Sequence, residues 1–343
     1  MAYAMLAESY NLKNGGSPDP QWLRLAAESA RKAIELNPQL AAAHLSYGIV
    51  LIPTHQLDDA ERELQRAQEL DPLNGKACTW LGEYYSQRND QRRAEEFYKK
   101  AIQLSPAHWP EYGRYGTFLF KNTRYAEAAA VWEQGRAQTL DNVIILKNLG
   151  AAYHMLNKYE DASDVFQRAL ELQPTAAVYS NLGTARFFQG RYDDSATAFE
   201  KAVELNPGLY LYWGNLGDAR RWTPGNEAKA KEAYGRAIEL LQEKLATTPD
   251  DPELKGTLAV YYAKVRERQH ALEAVAQLEK LTNRTPGSYF KALLTYEITG
   301  NRGKALQALE AAIRSGYSLQ EIKNEPELTS LRTDRRYHEI LAR

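Results

Sequence analysis

Cysteine is nearly missing from this chain of 343 residues: Cys78 stands alone and can close no internal disulfide. That absence fits a reducing compartment, and the cytoplasm is the expected location. Long apolar runs are missing too. No stretch approaches the ~20 residues that cross a bilayer, and the N-terminus has no basic segment followed by an apolar core and a cleavage site, so no membrane partner is expected. An excess of charge of either sign is also missing. The 43 Lys and Arg against 44 Asp and Glu leave a net charge of -1, no field for a polyanion, so no nucleic acid is expected to bind this region.

Chemistry-bearing clusters are scarce as well. The six histidines, His44, His55, His108, His154, His270 and His338, neither pair at ligand spacing nor form a His-Glu-x-x-His helix, so no metal site is expected. Gly300-Asn301-Arg302-Gly303-Lys304-Ala305 is a poor phosphate loop: its glycines are too close, no Ser or Thr follows the lysine, and no strand precedes it. Asn283-Arg284-Thr285 satisfies a glycosylation sequon by chance, and Cys78 reads as a buried thiol rather than a nucleophile. With no catalytic residues and no cofactor motif, the chain is expected not to be an enzyme and to need no cofactor.

What the chain does have is a beat. Hydrophobic residues are 44% and charged residues 25%, the composition of a folded protein. Gly48, Gly82, Gly116 and Gly150 follow one another at 34 residues, and Gly183 and Gly217 continue the series at 33 and 34. The same interval links Ala60, Ala94, Ala128 and Ala162, and it links Pro38, Pro72 and Pro106, with Pro174 and Pro207 resuming after one miss. Each unit reads as two helices, for example Ala77 to Gln87 and Arg92 to Leu104, ended by a proline that cannot continue the helix. Small residues let the helices approach, while Tyr85, Tyr98, Phe166 and Phe199 fill the space between. The acidic pairs Asp58-Asp59, Glu160-Asp161 and Asp193-Asp194 recur at the period, so they are expected to cap second helices and to favour their positive ends rather than to act as catalytic acids.

Through stretches such as Trp80-Leu81-Gly82 to Tyr85, Ala94, Tyr98, Ala101 and Pro106, the sequence resembles the tetratricopeptide repeat family. The resemblance implies an all-α, right-handed superhelical solenoid of about nine helix-turn-helix units. The array is expected over residues 1–316, with an Asn14–Pro18 loop inserted in the first unit and the last two units degenerate. Unit seven has an extra Thr223-Pro224-Gly225-Asn226 turn and a second helix running to about Ala246, which should protrude or bend the array. Residues 317–343 are expected to cap it, with Leu328, Leu331, Tyr337 and Leu341 facing unit nine. Trp213 to Gly225 and Ile313 to Tyr337 are similar to the C-terminal repeat regions of bacterial proteins that carry a serine/threonine kinase or winged-helix domain first. The resemblance implies the docking or sensory part of a larger bacterial regulator, although the chain itself carries neither kinase motifs nor a DNA-binding domain.

The resemblance also implies a function, the binding of a protein or extended peptide in the groove that the first helices line. Asn148, Asn181 and Asn215 precede Leu-Gly in three successive units, and an amide can pair with a peptide backbone whatever its side chains. The series is similar to the asparagine ladder of the O-linked N-acetylglucosamine transferase; the alternative is that these are merely tolerated polar residues. By the family register, Lys147, His154, Phe187, Phe188, Asp218, Arg221 and Trp222 share the inward face. Arg186 and Arg220 make it more basic, which favours a carboxylate-bearing ligand. The two-carboxylate clamp of chaperone-binding repeats is matched only by Lys147 and Asn181. The alternative function is self-association with a second copy through the terminal repeats and the long helix.

Overall fold

Eighteen helices make nine consecutive antiparallel pairs among the residues described by the computed structural model, which are 1–16 (backbone only for 14–16), 19–138 and 142–342. The first five pairs are α1 (Ala2–Gly16) with α2 (Pro20–Leu36), α3 (Ala41–Leu51) with α4 (Leu57–Leu70), α5 (Gly75–Gln87) with α6 (Gln91–Leu104), α7 (Trp109–Lys121) with α8 (Tyr125–Gln138), and α9 (Val143–Met155) with α10 (Tyr159–Leu172). The remaining four are α11 (Ala176–Phe188) with α12 (Tyr192–Leu205), α13 (Tyr210–Trp222) with α14 (Glu227–Thr247), α15 (Pro252–Lys264) with α16 (Arg268–Glu279), and α17 (Pro286–Ile298) with α18 (Arg302–Arg314). No strand occurs among the described residues. The inserted Asn14–Pro18 stretch falls partly outside them, since α1 carries its backbone to Gly16 and residues 17 and 18 are not described. The chain divides into two compact units, Met1–Gln173 and Pro174–Arg343. Within each, a second helix packs on the next first helix, and first helices such as α5, α7 and α9, or α15 and α17, touch along one face, so each unit is a stretch of superhelix.

The glycine beat has a steric cause. A side chain added at Gly82 would meet the ring of Tyr98 at 2.9 Å, one at Gly150 the ring of Phe166 at 2.5 Å, and one at Gly183 the ring of Phe199 at 2.9 Å. The partner stands sixteen residues on in the second helix of the same pair, and the rule holds for Gly48 with Leu64 and Gly116 with Trp132. Gly217 meets Tyr234, one residue further along. The missing Cβ lets a large buried side chain lie flat on the first helix, where its burial contributes about 1.5–3 kcal/mol.

From the second pair on, the turn inside the pair carries a residue in the left-handed region. His55, Asn89, Thr123 and Asn157 have φ of 58, 60, 59 and 58°, and Gly190 and Gly300 serve the same place in later pairs. At Thr123 the branched side chain makes this conformation strained. The acidic pairs do not cap. Helices α4, α10 and α12 start at Leu57, Tyr159 and Tyr192, the cap positions are Gln56, Lys158 and Arg191, and none makes a side-chain cap hydrogen bond. Each carboxylate pair sits in the first turn instead, where it favours the positive end of the helix dipole. True caps come from Asn74, Asp90, Asn142 and Thr175.

One carboxylate between pairs three and four gives a pH prediction. Glu95 on α6 receives the Arg124 guanidinium, the Lys99 ammonium at 2.7 Å and the Tyr115 hydroxyl at 3.1 Å. Arg124 foremost, outweighing partial burial, lowers its pKa to about 2 from 4.5. A folded pKa below the unfolded one stabilises the fold above pH 4.5 and loses that contribution as pH falls towards 2. Wild-type protein should therefore lose more melting temperature than Glu95→Gln across that window, and parallel losses in the two would remove Glu95 from the account.

The end of the chain folds back onto pair nine. Helix α19 (Leu319–Asn324), 3-10 turns at Pro326–Leu328 and Leu331–Thr333, and α20 (Arg335–Leu341) bury Ile322, Leu328, Leu331 and Tyr337 in one core with Leu293, Leu309 and Ala312. Leu341 packs at its edge. Helix α14 runs for 21 residues: Leu241 is buried and Leu245 packs at the edge of the core, whereas Glu243, Lys244 and Ala246 are exposed.

Candidate peptide-binding faces

In the unit 1–173, the first helices line a cleft of about 890 Å³. Its floor is mostly apolar and aromatic, with Trp80, Trp109, Phe118 and Ile144 among the lining residues. Polar groups punctuate it. The Arg114 guanidinium lies 3.9 Å over the ring of Trp80, Glu83 accepts from the Tyr98 hydroxyl at 3.1 Å, and Lys76 of α5 forms an ion pair with Glu8 of α1. The Nδ2 of Asn11 is buried with no partner, and Asn148 contributes an amide from α9. Lys147, half-buried, lies beside this lining rather than in it, and His154 packs against Tyr159 with ring centroids 5.3 Å apart. Cys78 is buried on the core side of α5; burial pushes its thiol up, away from the reactive thiolate.

Trp80 and Arg114 were absent from the sequence-based site, although a signal for them existed. They stand 68 and 34 residues before Asn148, in the same repeat position, and both line the cleft with it. The repeat position that holds the Asn148 amide thus holds a cation and an indole in the two preceding pairs.

In the unit 174–343, Asn181 and Asn215 are half-buried on α11 and α13, and Asn215 lines a second cavity of about 140 Å³ with Phe187, Phe188, Asp218 and Trp222. No hydrogen bond engages the side chains of Asn148, Asn181 or Asn215 among the described residues, so their amides are free. The aromatic residues support one another. Phe187 meets Phe188 edge-on at 5.7 Å and Tyr192 at 5.2 Å, and Tyr192 stacks on Trp222 at 5.7 Å. The charged residues are already engaged by the chain. Arg221 is held by Glu327, with a second contact at 3.2 Å, and Asp218 takes both the Lys264 ammonium and the Tyr234 hydroxyl. Burial works against charge on Lys264, and Asp218 beside it, with Glu327 and Glu325, outweighs that and raises its pKa. Arg220 pairs with Glu200 at 3.0 Å, and Arg186, whose pKa burial lowers, donates to the Asp194 carbonyl at 3.4 Å. The basic character expected of this face is therefore spent inside the fold, which removes the reason to expect a carboxylate ligand there. No three His, Cys, Asp or Glu side chains gather as metal ligands among the described residues.

Comparison with known proteins places these features. Two family models described as tetratricopeptide repeat match the chain, one over residues 143–175 and 176–209, the other over 75–108. The type IV pilus assembly protein PilF of Pseudomonas aeruginosa is 26% identical over 141 residues, 40% of this chain and 56% of PilF. The protein O-mannosyl-transferase Tmtc1 of Drosophila melanogaster is 33% identical over 107 residues, 30% of this chain and 12% of its own length. The chain thus spans little more than half of the one relative and a small part of the other. Among solved structures, a tetratricopeptide repeat protein from Parabacteroides merdae superimposes with a TM-score of 0.58 at 17% identity, covering 76% of this chain and 99% of that one. The three matched stretches are tetratricopeptide repeats, and the other helix pairs share their helix-turn-helix build.

Proposed function

We propose that this chain is a non-catalytic scaffold that binds an extended segment of another protein along the first helices of its repeats. The observation that carries the reading is the 890 Å³ cleft of residues 1–173, where an apolar floor is crossed by the column Trp80, Arg114 and Asn148. Such a floor buries side chains of a ligand, and the amide and guanidinium satisfy its backbone carbonyls. Peptides selected on the protein from a random library and measured by calorimetry test it. Competition for one cleft, lost on substitution of Trp80 and Arg114, supports the reading; binders indifferent to those residues would overturn it.

The two C-terminal stretches similar to those of kinase and winged-helix proteins extend the proposal to a cytoplasmic docking part of a larger bacterial regulator, which the sequence of the uncut gene decides. A second reading, self-association, is favoured by α1, where Met1 and Met5 are 70% and 63% exposed beside Tyr3 and Leu6. Light scattering on the eluting protein separates a monomer from a dimer.

A further inference from the structure

The 140 Å³ cavity of residues 174–343 is walled on one side by the rings of Phe187, Phe188 and Trp222 and on the other by the segment Glu325-Pro326-Glu327. That segment is fixed at both ends, because Ile322 before it and Leu328 after it are fully buried. It therefore converts part of an open repeat face into a small pocket. Around the pocket stand three carboxylates (Asp218, Glu325 and Glu327) and three cations, Lys264, Arg221 and Arg332, the last donating to the backbone carbonyl of Glu325. Lys264 is paired with Asp218 and Arg221 with Glu327. The Glu325 side chain belongs to no ion pair among the described residues, and its carboxylate accepts only the backbone N–H of Glu327, at 3.2 Å. Burial disfavours its charge and pushes its pKa up, so an arriving cation would relieve a cost already present.

We infer that this pocket takes an organic cation, an ammonium or methylated ammonium group such as the end of a lysine side chain, held between the aromatic wall and the Glu325 carboxylate. The faces of aromatic rings attract cations, most strongly where water is excluded. The wall is also stiff, since Phe187 and Phe188 stand at 83° to each other and Trp222 is backed by Tyr192 at 28°. An anionic guest would meet the unpaired Glu325 carboxylate, while Lys264 and Arg221 are already paired and Arg332 is turned to the Glu325 backbone carbonyl. The site lies outside the cleft of residues 1–173, and its occupation by a free ammonium compound does not depend on peptide binding there.

Tetramethylammonium and Nα-acetyl-lysine methylamide are the probes, with neopentyl alcohol as neutral isostere and Nα-acetyl-glutamate methylamide as anion. The readout is the indole N–H resonance of Trp222, identified by its loss in Trp222→Phe. The two cations should shift it saturably at millimolar concentration, and the neutral and anionic compounds should not. Glu325→Gln, which keeps an oxygen to accept the Glu327 N–H, should weaken both cations about tenfold, and Phe188→Leu, which leaves the C-terminal segment untouched, roughly threefold or more. Glu204→Gln, at an exposed site, should leave them unchanged. Equal shifts from neopentyl alcohol, preference for the glutamate compound, or unaltered binding in both Glu325→Gln and Phe188→Leu would each overturn the inference.

Discussion

Trp132→Ala is expected to cost the fold of residues 1–173 about 3–5 kcal/mol, the usual loss when a buried aromatic side chain is removed and the space cannot collapse. Trp132 is 1% exposed, donates from its indole nitrogen to the Gly113 carbonyl at 3.4 Å, and lies against Phe120 with centroids 6.0 Å apart. It also covers Gly116, where a Cβ would collide with the indole. Ring and glycine are thus two halves of one contact, and each should be intolerant in its own direction. Gly116→Val should destabilise by about 1–3 kcal/mol through overpacking, and joining it to Trp132→Ala should cost less than the two separately. Since repeats contact mainly their neighbours, calorimetry should show the loss in a transition of residues 1–173, with that of residues 174–343 less affected. A Trp132→Ala melt superimposable on that of the wild type would sink the view that the glycine–aromatic contact holds each pair together.

Trp80→Ala with Arg114→Ala is expected to lower affinity for a library-selected peptide by two orders of magnitude or more while helicity stays near that of the parent. Aromatic and arginine side chains at the centre of an interface commonly cost 2 kcal/mol or more on truncation, and about 1.4 kcal/mol is tenfold in affinity. The pair is preorganised, because the guanidinium is already stacked 3.9 Å above the indole. Folding should lose little beyond that stacking, about 0.5–1 kcal/mol at an accessible site. Asn148→Ala should act in the same direction but more weakly, by about 1–3 kcal/mol if its bond to the peptide backbone is dry. An unchanged dissociation constant in the double variant would move the binding face elsewhere.

Much of this molecule was legible in the order of its residues. The helices read as Ala77 to Gln87 and Arg92 to Leu104 are Gly75–Gln87 and Gln91–Leu104 in the structure. Prolines, glycines and the apolar period act within a few residues of themselves, so their spacing carries the pair, its turn and its length. The acidic pairs begin two positions past the cap, because the cap is set by backbone geometry at Gln56, Lys158 and Arg191 and not by residue type.

The candidate sites divide along the same line. That Asn148, Asn181 and Asn215 hold the same repeat position on their first helices follows from the sequence period, which is local. Which groups of those helices remain free does not. Arg221 is neutralised by Glu327 of the C-terminal segment, 106 residues later, and Asp218 by Lys264 at the end of α15, 46 residues later, contacts that no repeat spacing encodes. The sequence by itself determined the repeat, its helices and the repeat position its asparagines share, since short-range sterics and periodicity decide those. Only the tertiary structure decided that the cleft of residues 1–173 is open, and that beside Trp222 the chain's own carboxylates take up the cations, because charges are matched by proximity in space and distant segments meet only when the chain is folded.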